Sequence, residues 1–368
     1  MTADAFRPPL DGLKVIDFSE LLPGPFFTQS LAEMGAQVLK VERPPGGDNT
    51  RRMGPGVFEA VNRGKQSLLA DLKDPQQRAQ VRARVAEADV LVESYRPGTM
   101  ARLGLDAASL CAEFPRLIYV SLSGYGQQGP WADLPGHDIN YLGAAGVLAV
   151  SGRPGEGPEQ SFGLPVADLS GAMYALSSTL AALLQRERTG RGQHLDVSLA
   201  DCALHWMNPR LGAWRSLEAT SIEAQRDVSL VKPAYGAFAC RDGRHVSVAA
   251  LEDHFWVRLC EALDLSPYQG EAHRSILARK KAAAAINARI AEALAGLDAD
   301  EAFTVLQRHD VPVAPVVAPA ELAALPQFAT REKFEAGGPL PLVRYPVPLA
   351  GMAPGQLGPA PVLNSVRS

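Results

Sequence analysis

The chain has 368 residues, 46% of them hydrophobic, with 36 Lys and Arg against 40 Asp and Glu, a formal net charge of −4. That length makes two or three domains with cores that need no disulfide or metal staple, and the apolar content excludes a disordered chain. The mildly acidic balance excludes a general nucleic-acid binder, which needs a basic surface, but a local arginine cluster is enough for a small anion.

The first segment, MTADAFRPPLDG, carries an acid at position 4 and no apolar run, so no signal peptide is expected there. Residues 13–43 read as strand, helix, strand. LKVIDFS is rich in apolar and β-branched residues, Pro25 is placed to open a helix, and Phe27, Leu31 and Met34 recur at helical spacing. Gly35 ends the helix and QVLKVER is the second strand; connections this short imply parallel strands with a right-handed crossover. Further strands are expected at QSLLADL, DVLVES and residues 116–123, and a helix from Asp74 to about Ala88. The first 125 residues therefore predict a doubly wound α/β layer.

Asp168 begins the clearest helix: Leu169, Met173, Leu176, Leu180 and Leu183 follow at spacings of four and three, and Gly190 stops it. The run from 169 to 184 is too short and too polar for a membrane span. HLDVSLA, 194–200, is open between strand and helix entry, and residues 206–233 read as an irregular linker. YGAFAC and HVSVAA flank an Asp-Gly turn, a hairpin signal, and helices follow to about residue 309. The Pro-rich tail from Val311 predicts an extended chain lying on another part of the fold. Four cysteines lie far apart with no CxxC and no metal-ligand spacing, which predicts free, mostly buried thiols in a cytoplasmic protein and no metal site.

Gly124, Gly126 and Gly129 match GxGxxG after a strand, but Pro130 and Pro135 follow where a dinucleotide site needs a helix, so nicotinamide or flavin binding is not expected. Arg43, Arg51, Arg52, Arg63, Lys65 and Lys73, then Arg96 and Arg102, cluster after strand ends, where open α/β sheets bind ligands. On composition alone they read better as a solvated charged loop. His137 and Asp138 precede a helix, Asp168 opens one, and Glu252 opens another. Each has an ordinary reading as a cap or first-turn residue. Each also has a functional one: a helix N-terminus disfavours imidazolium, keeping His137 able to accept a proton, and free N–H groups at the start of a helix stabilise a carboxylate or oxyanion at Asp168. The residues by themselves leave both open.

Read in order, LDGLKVIDFSELLPGPF, GAQVLKVERP, NRGKQSLLADLK, SYRPGTMARLGL, GHDINYLGAAGVL, ADLSG, RTGRGQHLDVSLAD and CRDGRHVSVAALEDHFW resemble the family III CoA-transferase superfamily, and within it the α-methylacyl-CoA racemases. The resemblance implies a large parallel, Rossmann-like α/β domain made from both chain ends (1–205 and 315–368), a linker (206–224) and a smaller α+β domain (225–314). It also implies an interlocked homodimer and an acyl-CoA substrate, with no cofactor beyond coenzyme A as part of that thioester, while the charge balance and the lack of a spanning run predict no nucleic-acid and no membrane partner. It matches Arg43, Ala70, Asp71, Leu72, Lys73, Gly136, Asp138, Ile139, Asn140 and Tyr141 to CoA or substrate binding, with Arg96 and Arg102 as phosphate partners by placement. Two chemistries follow. A racemase uses His137 and Asp168 as paired bases, with Glu252 orienting His137; a transferase uses Asp168 as a nucleophile. The full GHDINY string favours the racemase, whereas the long loop after residue 43 looks more like the transferases.

Overall fold

The structure is a computed structural model that describes residues 6–160, 163–335, 340–352 and 357–366. The chain divides into two compact units. The first comprises Met1–Leu148, Gln160–Asn208 and Leu325–Ser368, and the second comprises Ala149–Glu159 and Pro209–Ala324.

The first unit is built on six parallel strands in the order β3-β2-β1-β4-β5-β6. They are β1 (Lys14–Asp17), β2 (Gln37–Glu42), β3 (Gln66–Leu69), β4 (Val90–Glu93), β5 (Ile118–Ser123) and β6 (His194–Ser198). Every neighbouring pair is parallel, as the short strand–helix–strand connections predict. Alternate residues face opposite sides. Val15, Val90, Val92, Ile118 and Val120 pack into one core layer, while Ile16, Leu91 and Tyr119 pack into the other. Both faces are covered, which is why these strands read as nearly unbroken apolar runs. The order reverses between β1 and β4, and an open sheet of this kind offers its ligand crevice beyond the strand ends at that point.

Helix Val166–Thr189 packs on the first layer and ends at Gly190, whose φ of 72° is left-handed. Its buried face differs from the leucine stripe in the sequence. Ala172, Ala175, Leu176, Thr179 and Ala182 are buried, whereas Met173 and Leu184 are exposed. Small side chains let the helix approach the sheet closely, and the larger ones lie at its flanks. Residues 194–200, open in the sequence, divide into β6 and a helix, Leu199–Trp206, capped by Ser198.

The second unit holds an antiparallel sheet β7 (Tyr235–Ala239), β8 (His245–Ala249) and β9 (Val313–Pro315). Phe238, Val246, Trp256, Leu259, Ile286, Ile290 and Leu306 form its core. β9 is the start of the Pro-rich tail; it joins this sheet as an edge strand, a position that tolerates its proline. The tail returns to the first unit only from Leu325, ten residues later than expected, and there Tyr345 and Leu349 pack on the first core layer. The stretch read as a linker is mostly helical, Asn208–Ser216 and Ile222–Leu230, with Trp214 donating to Ser229 (3.3 Å). With few buried positions, neither helix carries a strong apolar period. Residues 149–159 join this unit because Arg226 donates to the carbonyls of Ala149, Ser151, Arg153 and Glu156 (2.7–2.9 Å). Cys202, Cys240 and Cys260 are buried and Cys111 half-buried, all as free thiols.

Candidate active site

Beyond the ends of β1, β4 and β5 lies a cavity of about 630 Å³. Glu20 and Leu21 reach it from β1, Ser94, Tyr95 and Arg96 from β4, and Ser123 and Gly124 from β5. Gly136, His137, Asn140, Tyr141 and Asp168 complete the wall that carries the candidate chemistry. Gly124 is required here: a Cβ would stand 2.4 Å from the Tyr141 ring. Tyr141 in turn donates to the Gly136 carbonyl (2.5 Å) and meets Tyr125 edge to face. No helix follows Gly129, so the GxGxxG match is a turn.

His137 sits at the N-cap of helix Asp138–Ala144, with its backbone N–H donating to Asn140 Oδ1 (3.0 Å). Asp138 does not line the cavity. Its Oδ1 accepts from the backbone N–H of both Ala167 (2.6 Å) and Asp168 (3.2 Å). One carboxylate thus caps the helix that bears Asp168, although the two residues lie thirty positions apart. The N–H of Leu169 is also taken, by the Pro165 carbonyl (3.0 Å). The free helix N-terminus expected at Asp168 is therefore occupied. Its electrostatic effect is reversed as well: burial first, and the Asp138 charge second, push the Asp168 carboxyl up to about 7. Ile139 does not line the cavity and is exposed.

A second cavity of about 500 Å³ adjoins the first through Tyr95, which lines both. Arg43, Ala70, Asp71, Leu72 and Lys73, matched by resemblance to CoA or substrate binding, line it together with Arg102, assigned to phosphate by placement. Arg43 is held by Glu20 through two hydrogen bonds (2.9 and 3.3 Å) and by Asn49 (3.0 Å). Arg96 lies in the first cavity instead. Glu252 belongs to the second unit, exposed at the N-cap of helix Asp253–Ala262.

Of the other cations of the 40–73 region, Arg52 is exposed, as a solvated loop predicts, whereas Lys40, Arg51, Arg63 and Lys65 are neither solvated nor at the cavities. Lys65 is fully buried against Asp17 (3.2 Å), Arg51 pairs with Glu42 (2.7 Å), and Arg63 with Glu33 (3.0 Å). Lys40, also buried, bridges Asp48 (3.0 Å) and the Ser19 carbonyl (2.6 Å). Burial pulls Lys65 down to about 7, while Lys40 and Lys65 help to hold Asp17 at about 2 against its burial.

This buried network shapes the loop after β1. Asp17 accepts from the Ser19 N–H (2.9 Å), Ser94 from the Glu20 N–H (3.0 Å), and Asp48 from the Leu21 N–H (3.3 Å). Gly24 closes the loop so tightly that a Cβ would stand 2.2 Å from that of Ser19. Within it Leu21 is left-handed, φ 68°, a conformation that costs a non-glycine residue about 1–2 kcal/mol. Sequence reasoning missed Glu20, Leu21, Ser94 and Tyr95; the signal available was their place just past the ends of β1 and β4.

Among the described residues no group of three or more His, Cys, Asp and Glu could hold a metal ion. What the site presents is an acid whose carboxyl is pushed up to about 7 by burial, lining the same cavity as a histidine, next to a cation-lined annexe suited to phosphates.

Known proteins match this chain over most of its length. Acetyl-CoA:oxalate CoA-transferase from Acetobacter aceti is 35% identical over 351 residues, covering 93% of this chain and 90% of its own. Human α-methylacyl-CoA racemase is 36% identical over 264 residues, 70% of this chain and 65% of its own. The crystal structure of a CAIB/BAIF family protein from Brucella suis superposes with a TM-score of 0.85 at 31% identity, covering 98% of this chain and 97% of its own. The family model for CoA-transferase family III matches residues 10–366, and the chain belongs to that family.

Proposed function

We propose that this enzyme acts on a coenzyme A thioester and epimerises its α-carbon, as on a 2-methylacyl-CoA, by moving the α-proton between Asp168 and His137. The observation that carries the reading is that both side chains line one cavity, with the Asp168 carboxyl raised to about 7. A carboxylate of that basicity is ionised at neutral pH to a useful degree and accepts a proton far better than an ordinary one. One base removes the proton, the electron pair passes into the thioester carbonyl as an enolate, and the other base returns a proton to the opposite face. Arg43, Lys73 and Arg102 of the adjoining cavity are assigned to the phosphates of the coenzyme, whose thioester end then reaches Asp168 past Tyr95. The orienting role of Glu252 toward His137, the interlocked homodimer and a cytoplasmic location belong to the same proposal.

CoA transfer is the second reading, and the relatives favour it at least as strongly, because the relative matched over 93% of the chain is a CoA-transferase. Here the Asp168 carboxylate attacks the thioester carbonyl, CoA leaves as thiolate, and an acyl-aspartyl anhydride forms. The thiolate then attacks the aspartyl carbonyl, releasing the first acid and leaving an aspartyl-CoA thioester. The acceptor acid takes over this CoA in the same two steps reversed.

The deciding experiment is incubation of 2-methylacyl-CoA in D₂O without an acceptor acid, followed by mass spectrometry. Gain of one deuteron at the α-carbon, abolished in both His137→Ala and Asp168→Ala, is the outcome expected for epimerisation. No exchange, together with CoA transfer to added carboxylic acids that survives His137→Ala, moves the assignment to the transferase.

A further inference from the structure

We propose that Leu21 is a specificity-determining residue that limits the size of the acyl group admitted beside Asp168. The inference rests on reading the cavity as an acyl-CoA site, which both chemistries share.

Seven described residues other than glycine have positive φ: Leu21, Glu218, Ala234, Asp264, Asp310, Glu332 and Asn364. Six are small or polar. Leu21 alone among them is large and apolar, and it alone lines the cavity with His137 and Asp168. Glycine adopts this backbone freely, so a leucine here is kept at a conformational cost. Core packing does not account for it, because Leu21 is 37% exposed. The residue does line the cavity.

The loop cannot relax to remove it. The buried Lys40–Asp48 pair holds the Ser19 carbonyl and the Leu21 N–H, and Ser94 holds the Glu20 N–H. Strain of this sort persists only where the surroundings over-determine it, and it concentrates at functional sites. Leu21 is therefore a fixed wall element rather than a mobile side of the pocket. With Pro23, Leu134 and Leu199 it makes an apolar surface suited to a hydrocarbon chain.

The test is kcat/KM for a straight-chain acyl-CoA series from acetyl to decanoyl and its 2-methyl counterparts, in whichever of the two activities the wild type shows. A single methylene in an apolar pocket is worth about 10–200-fold. Leu21→Gly should raise the long-to-short ratio at least about tenfold, and Leu21→Phe should lower it by a similar factor. Leu21→Gly should melt no lower than wild type, since glycine relieves the strain. Unchanged ratios in both variants of an active enzyme overturn the inference and leave the function standing. A glycine variant that melts lower with the wild-type ratio assigns Leu21 to packing and also overturns it. A wild type that neither turns over nor binds any CoA ester by calorimetry removes the functional reading, and the inference with it.

Discussion

Replacing Asp168 with asparagine should stabilise the protein at neutral and alkaline pH while removing its activity. The carboxyl rises from 3.8 to about 7 on folding, roughly three units. Each unit corresponds to about 1.4 kcal/mol of preference for the protonated form, so the ionised side chain costs at most about 4 kcal/mol. Asp168 is only part-buried and faces a cavity, and solvent screening reduces this to about 2 kcal/mol. The sign follows from proton binding. Between about pH 4 and pH 7 the folded state holds the proton that the unfolded state has lost, so wild-type stability falls as pH rises through that window and levels off above it. The asparagine side chain does not titrate and keeps the shape of the aspartate. Urea midpoints should therefore favour Asp168→Asn by about 2 kcal/mol at pH 8 and by almost nothing at pH 4, with unchanged m-values. Equal differences at the two pH values, or a wild type more stable than the variant at pH 8, would refute the argument that this carboxyl is buried at a cost.

Asp138→Asn removes the second cause of the raised Asp168 pKa, so the acid limb of the pH–rate profile should move to lower pH; a limb that stays in place separates Asp138 from that titration. Asp138→Ala also removes the cap from Ala167 and Asp168, at a cost of about 1–2 kcal/mol in unfolding free energy measured by denaturation. Gly124→Ala forces a methyl to within 2.4 Å of the Tyr141 ring, and should destabilise by about 1–3 kcal/mol and depress kcat. Lys73→Ala and Arg102→Ala should each raise KM for acyl-CoA with little change in kcat, as expected for uniform binding energy, and weaken the dependence of KM on ionic strength.

Much of the first unit is legible along the chain because its information is local. Alternation and β-branched content mark the strands, Asp74 caps its helix through Gln76, and Gly190 stops another. The segment order that resembles the family is local too, and it delivers His137 and Asp168 as candidates. Even the second cavity can be anticipated, from the family resemblance at residues 70–73 and from Lys73 and Arg102 lying past strand ends.

Other features depend on residues far apart in the chain meeting in space. Asp168 reads as the start of a helix with free N–H groups; folding brings Asp138 onto those groups, and burial makes the acid basic instead of strong. Lys65 reads as a loop charge and Lys40 as one residue of a strand, but their fates depend on the carboxylates of Asp17 and Asp48. Leu21 looks like any loop leucine until Asp48 captures its N–H and holds it left-handed at the cavity. Sequence periodicity reports which face a residue takes within its own element. It carries no term for desolvation or for charges brought close by the fold, and those two quantities set the chemistry of this site.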